Sequence, residues 1–188
     1  MTKNFKKAAT IVGALGVLAL TFVSGTAHAQ ATDDFDVTVT TNAAAGIACG
    51  QNLSFGRAYV AASNSQAVLT LTSGGSLSSN HASVAVTGGA VGQCTVSGLQ
   101  GADTASVTIA GGSGTPASGG LTGVTLSDGA SHTLTATLQV GGGGSAISGG
   151  RSGLANGVIP FFGTVTIPAS HVDFGTYTAT ITATAALN

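Results

Sequence analysis

The amino-acid sequence predicts an all-β fold, an immunoglobulin-like antiparallel β-sandwich, and three observations lead to this prediction. Short segments rich in Val, Ile and Thr alternate apolar and polar residues, which is the pattern of half-buried strands. Pairs of glycines separate these segments, and glycine favours tight turns. No stretch after the N-terminal leader shows the period of a helix. A closed β-barrel is the alternative arrangement of such strands.

The first 29 residues are predicted to be a signal peptide. Three lysines lie within the first seven residues, namely Lys3, Lys6 and Lys7. A largely apolar run over 8–23 follows, and Ala27-His28-Ala29 places small residues where a signal peptidase cleaves. A retained membrane anchor is the alternative, but the run is shorter than the roughly 20 residues that a span prefers. We therefore expect cleavage after Ala29, export, and no membrane span in the mature protein.

Seven segments carry the strand alternation. They are 35–40, 67–72, 83–87, 106–109, 134–138, 163–167 and 174–187. In the last of them one face is predicted to hold Tyr177, Ala179, Ile181, Ala183 and Ala185, with threonines on the other. We interpret residues 30–45 as an N-terminal extension and 46–188 as a single sandwich domain.

Glycine patterns predict how the strands are joined. The dipeptides Asp128-Gly129 and Asn156-Gly157 favour tight hairpin turns. The glycine-rich stretch 141–153 is interpreted as one long loop inside the domain, because no alternation runs through it.

The low charge of the chain excludes several classes of function. Charged residues make up 6% of the sequence, against about 25% in a typical soluble domain. After the leader, Arg57 and Arg151 stand against six aspartates, which gives a net charge of −4. There is no basic patch to neutralise phosphates, so no nucleic-acid partner is expected. Few titratable groups remain to form a catalytic pocket, and the sequence does not predict an enzyme.

The candidate motifs for cofactors, metals and catalysis are incomplete. The glycine run 141–144 lacks the lysine of a phosphate-binding loop, and no Gly-x-Ser-x-Gly occurs. Three histidines lack a neighbouring ligand at metal-binding spacing, namely His81, His132 and His171. The aspartates at 33, 34 and 36 lack the following Gly and the distal Glu of a calcium loop, and we interpret them as solubilising charges on an N-terminal strand. We expect no cofactor and no metal.

Cys49 and Cys94 are the only cysteines. Export would place them in an oxidising compartment, and a pair without a third ligand favours a disulfide over half of a metal site. The bridge would join residues 45 positions apart. We expect a structural disulfide.

The order of motifs along the chain is similar to that of a known family. The alternating segment 35–40 is followed by Cys49, by Asn52-Leu53-Ser54-Phe55-Gly56 and by Tyr59. Gly98-Leu99 comes after the second cysteine, and 175–181 fits a terminal Gly-x-Tyr-x-x-x-Ile/Val strand. Over 31–188 the chain resembles the spore coat protein U-like subunits of archaic chaperone–usher pili. It is closer still to a related pilin-like secreted domain of unknown function that opens with Leu-x-Phe-Gly.

This resemblance implies a sandwich that lacks its last strand and carries an apolar groove in its place. In such pilins a periplasmic chaperone lends a strand during export, and the N-terminal extension of the next subunit later fills the groove at an outer-membrane usher. The implied inward donor plugs are Phe35, Val37 and Val39, and the implied groove or terminal-strand residues are Tyr177, Ile181 and Leu187. A closed sandwich, in which residues 35–40 pair within their own chain, is the alternative.

The predicted function is therefore that of a secreted structural subunit of a surface fibre or pilus. Its expected partners are copies of itself or related subunits, with a chaperone and an usher. The expected location is the periplasm and then the cell surface of a Gram-negative envelope. Two alternatives remain: a monomeric secreted adhesin or glycan-binding module, and an amyloid-like matrix protein suggested by the low charge.

Overall fold

Residues 44–60, 65–169, 171 and 174–188 are described by the computed structural model. Within these ranges the chain forms fourteen β-strands, all pairing antiparallel, and no helix. The predicted all-β antiparallel sandwich is confirmed. The strands are β1 (Gly46–Gln51), β2 (Arg57–Val60), β3 (Ala67–Leu71), β4 (Leu77–Ser79), β5 (Val84–Thr87), β6 (Gly92–Ser97), β7 (Ala105–Gly111), β8 (Thr115–Ala117), β9 (Gly120–Ser127), β10 (Thr133–Val140), β11 (Ser145–Ile147), β12 (Gly150–Leu154), β13 (Gly157–Ile167) and β14 (Ile181–Leu187).

The larger sheet is organised around β13. Along one edge β13 pairs first with β6 and then with β3, and along the other edge it pairs with β10. The sheet runs in the order β1-β6-β13-β10-β9-β8, and β4 pairs with β3. From Ile159 to Ile167, buried and half-buried residues of β13 alternate, which is the period of two that a strand with one face on the core requires.

A four-stranded sheet in the order β11-β12-β7-β14 and a two-stranded sheet of β2 and β5 complete the fold. The buried faces of both larger sheets contribute to one hydrophobic cluster, in which Val107 of β7 and Val124 of β9 are 0% exposed. All described residues belong to one compact unit, Thr40–Asn188.

The stretch 141–153 was predicted to be a loop, and this prediction is wrong: it contains β11 and the start of β12. The strand β12 escapes pattern recognition because glycine takes two of its five positions, and β11 is only three residues long. At position 150 a side chain cannot fit, because a Cβ on Gly150 would lie 1.9 Å from the Val107 carbonyl oxygen. The missing side chain allows β12 to pair closely with β7.

The two turn dipeptides behave differently from the prediction. Asn156-Gly157 joins β12 to β13, which lie in different sheets, so it forms no hairpin. The Asn156 side chain instead bonds the backbone N–H and carbonyl of Leu99, at 3.1 and 2.9 Å. Asp128-Gly129 does lie between paired strands, β9 and β10, but in a five-residue connection rather than a two-residue turn.

Two hairpins are alike in sequence and in structure, although the sequence analysis detected no repeat. The segment GTPASGG at 114–120 forms the β8–β9 turn, and GSAISGG at 144–150 forms the β11–β12 turn. Their tips meet at a bridge between Ser118 and Ser148. Gly119 donates to the Ile147 carbonyl at 2.9 Å, while Gly149 donates to the Ala117 carbonyl at 2.8 Å. The bridged tips tie the two larger sheets together.

Candidate strand-accepting groove

An apolar groove of about 1030 Å³ lies between the edges of the sheets. Its floor is formed by buried side chains of several strands, including Ile109, Leu138, Phe161 and Val165. Half-buried apolar residues such as Leu126 and Leu134 continue the lining. We call this feature the strand-accepting groove, because residues of β2 and β14, each of which pairs with one described strand only, are among its lining.

One side of the strand-accepting groove is β2. Among the described strands β2 pairs only with β5, and groove-lining residues come from β2 but not from β5. All four residues of β2 line the groove. Ala58 and Val60 pack against the core, while Arg57 and Tyr59 alternate with them and are exposed.

The opposite side is formed by β14 and the segment before it. Among the described strands β14 pairs only with β7, so one edge of its backbone is unpaired. Ile181 and Ala183 line the groove and are half-buried, whereas Thr180 and Thr182 are exposed. Among the described strands, β2 and β14 thus each have one edge of unpaired backbone donors and acceptors.

The segment 174–180 bounds one end of the groove. Thr178 exchanges backbone hydrogen bonds with Ser127 at the end of β9. The Tyr177 hydroxyl lies 3.3 Å from the His171 ring nitrogen Nε2, and Phe174 is 79% exposed at the rim. This part of the chain was predicted to be strand from residue 174 onwards, but β14 begins at Ile181. The side-chain alternation nevertheless extends back to Tyr177.

The predicted disulfide between Cys49 and Cys94 is present. The two residues are directly opposite in the β1–β6 pair, and both line the groove. Cys94 is buried and Cys49 is exposed. The bridge therefore fastens β1, an edge strand next to β14, to the body of the larger sheet.

The other predicted site residues divide into three groups. Tyr177 and Ile181 line the groove. Leu187 belongs to the terminal strand but does not line the groove; it is 51% exposed and pairs with Ala105 at the far end of β14. The three predicted donor plugs, Phe35, Val37 and Val39, lie outside the described residues.

The sequence analysis missed the contribution of β2 to the site. Arg57-Ala58-Tyr59-Val60 is an alternating strand, but it is only four residues long and places a tyrosine on its outward face. Tyr59 is 58% exposed, and with Arg57 it borders a second hollow of about 480 Å³. The alternation of Arg with Ala and Tyr with Val is the signal that could have identified this strand.

Charges near the groove are few. Among the described groove-lining residues Arg57 is the only one with a permanent charge, and no ion pair or hydrogen bond joins its side chain to another described residue. Arg151, by contrast, donates from Nε to the Val140 carbonyl at 2.6 Å and from Nη1 to the Gly144 carbonyl at 2.8 Å. Arg57 is thus the guanidinium available to a partner.

In the β9–β10 connection, neighbouring groups lower the pKa of the Asp128 carboxyl. The His132 ring donates from Nδ1 to Asp128 at 2.7 Å, and this bond lowers the pKa of the Asp128 carboxyl. The Ala130 N–H, donating to Asp128 at 2.8 Å, acts in the same direction.

The described residues contain no group of three or more metal-ligating side chains. They also contain no helix of the length and apolarity needed to cross a membrane. Comparison with protein-family models, with curated proteins and with solved structures found no match for the chain.

Proposed function

We propose that this protein is a secreted structural subunit that polymerises into a surface fibre or pilus by β-strand complementation. The strand-accepting groove carries the proposal, since it combines an apolar floor with two strands, β2 and β14, that each have one edge unpaired among the described strands. A strand laid along it gains backbone hydrogen bonds at its edges, and its alternate side chains are buried on the floor.

The proposed donor is the N-terminal extension of a neighbouring copy. In its segment 35–40, Phe35, Val37 and Val39 share one face. Burial of three such side chains is worth roughly 5–8 kcal/mol, at about 1.5–3 kcal/mol each. This is comparable with the stability of a whole domain, about 5–15 kcal/mol, and is enough to hold subunits in a fibre.

The same reasoning supports the proposed partners and location. Exposed strand edges beside an apolar groove promote aggregation unless another strand covers them. A subunit exported through the periplasm of a Gram-negative envelope therefore needs a chaperone that lends such a strand, and an usher at which the donor of the next subunit replaces it.

The test is a denaturing gel of surface-sheared material, comparing unheated with boiled samples. We expect wild type to give a regular ladder that collapses on boiling to one band near the mature mass. Val37→Lys places a charge on a plug and should remove the ladder, whereas its matched control Thr38→Lys lies on the opposite face and should retain it. Deletion of residues 31–40 should also remove it. A monomer band in both wild-type lanes, or a ladder that survives the deletion, would contradict the proposal.

A second candidate function, a monomeric glycan-binding adhesin, is favoured by the hollow beside Arg57 and Tyr59. An exposed tyrosine ring can stack on a sugar, and a guanidinium can bind an acidic substituent. Glycan-array binding by monodisperse protein that is lost in Tyr59→Ala would support this function over the fibre.

A further inference from the structure

We infer that Arg57 of one subunit pairs with Asp36 in the N-terminal extension of a second copy, and that this ion pair sets the register in which the extension occupies the strand-accepting groove. The inference rests on the proposed function. It names the donor residue that pairs with Arg57, and it explains how one register of the donor is favoured over registers shifted along the groove.

The charges of the chain are distributed unevenly between extension and domain. Three of the six acids, Asp33, Asp34 and Asp36, lie within four positions of one another, and residues 30–45 contain no Lys or Arg. The groove, in contrast, is bordered by Arg57, whose guanidinium forms no ion pair or hydrogen bond with another described residue. An acidic segment and a basic rim are electrostatically complementary.

Strand geometry limits which acids can meet Arg57. Successive side chains of a strand point to opposite faces, so a donor with Phe35 and Val37 on the floor turns Asp34 and Asp36 outward and Asp33 inward. On β2 the same rule holds, because Ala58 and Val60 pack inward and Arg57 is exposed. Outward residues of adjacent strands are cross-strand neighbours, with Cβ atoms about 4.5–5.5 Å apart when directly opposite.

The pairing is selective because a donor can slip along an apolar groove. A slip of two residues keeps two of the three plugs on the floor and brings Asp33 or Thr41 to the third position. Such a slip would place Asp34 or Thr38 opposite Arg57. Placing Thr38 there removes the pair, and placing Asp34 there puts the charge of Asp33 on the apolar floor. Only the register with Asp36 opposite Arg57 both forms the ion pair and keeps all three plugs on the floor.

The experiment compares assembly of four purified mature chains: wild type, Asp36→Arg, Arg57→Asp and the double variant D36R/R57D. Assembly is followed as the rate at which the heat-sensitive ladder appears after dilution from denaturant. Each single reversal replaces an attraction by a repulsion and should slow assembly about tenfold. The double variant restores an opposite-charge pair and should recover most of the wild-type rate. In 1 M salt, where the screening length is about 3 Å, the differences should shrink.

Two controls separate pairing from folding and from net charge. Asp103→Arg makes the same charge change at a residue that does not line the groove, and should assemble at the wild-type rate. In a chain lacking residues 31–40, Arg57→Asp should leave the urea midpoint unchanged, which shows that the variant folds.

The outcomes distinguish this inference from the proposed function. If wild type forms no ladder, the fibre proposal fails. If wild type forms a ladder and Arg57→Asp assembles equally fast, or if the double variant is no faster than the single ones, the pairing is overturned while the fibre stands. If charge reversal shifts the urea midpoint of full-length monomer and no ladder forms, the extension occupies the groove of its own chain, which overturns the second-copy partner.

Discussion

Ser127 and Thr178 exchange two backbone hydrogen bonds, of 2.9 and 2.8 Å, between the end of β9 and the segment that leads into β14. This bridge joins the larger sheet to the chain that enters the four-stranded sheet. It also fixes one end of the strand-accepting groove, since Tyr177 and Thr178 both line it.

Thr178→Pro removes the N–H that donates to Ser127 and should lower the free energy of unfolding by about 1–3 kcal/mol. Thr176→Pro is the matched control, because no backbone bond from Thr176 to another described residue is present. Urea denaturation of the two variants measures the difference. Equal midpoints would show that the bridge contributes no stability.

Removing the disulfide in Cys49→Ser/Cys94→Ser should cost about 4 kcal/mol, the chain-entropy value for a loop of 45 residues. The expected result is a lower urea midpoint than in the oxidised wild type. Reducing agent should lower the urea midpoint of wild type to that of the double variant and leave the midpoint of the double variant unchanged. A wild type insensitive to reduction would contradict the structural role.

Acid should weaken the Asp128 contribution to stability. The His132 and Ala130 hydrogen bonds hold the folded pKa of Asp128 below its usual value of 3.8, so they stabilise the carboxylate form. The contribution is complete above the unfolded pKa and is lost as the pH falls through the lower, folded one. Asp128→Asn should therefore be less stable than wild type at pH 7 and approach it at pH 2, as measured by urea midpoints. Asp103→Asn, which removes a carboxylate that accepts no hydrogen bond from a described residue, is the charge-matched control at pH 7.

Gly150→Ala should be strongly destabilising, because its Cβ would lie 1.9 Å from the Val107 carbonyl oxygen and would force β12 away from β7. We expect a loss of roughly 1–3 kcal/mol or more. Gly143→Ala is the control, since a Cβ there meets no atom within 4 Å. The midpoints of thermal unfolding of the two variants measure the difference. A Gly150→Ala protein as stable as the Gly143→Ala control would show that β12 can move away from β7 without loss of stability.

The parts of the fold that could be predicted are those in which side chains report burial directly. The alternation around Val165 identified β13, and the threonines at 182 and 184 identified the outer face of β14. The disulfide followed from the presence of only two cysteines. The residues that reveal each strand follow one another in the sequence, and the two cysteines have no other cysteine to pair with.

The parts that could not be predicted depend on close backbone approach or on pairing between distant strands. In β12 glycine replaces apolar side chains that would reveal a strand, and β11 has only three residues, so a hairpin was taken for a loop. The recurrence of GTPASGG as GSAISGG was a usable signal for it. The groove required knowledge that β2 pairs only with β5, which no local pattern contains.

The near absence of cations has a further consequence. Proteases of trypsin specificity cut only after Lys or Arg, and residues 30–188 contain no lysine and two arginines. Arg151 is tied to two carbonyl groups, and Arg57 lies within a paired strand, so neither peptide bond is presented in the exposed loop that proteolysis prefers. We therefore expect the folded chain to resist proteases of trypsin specificity.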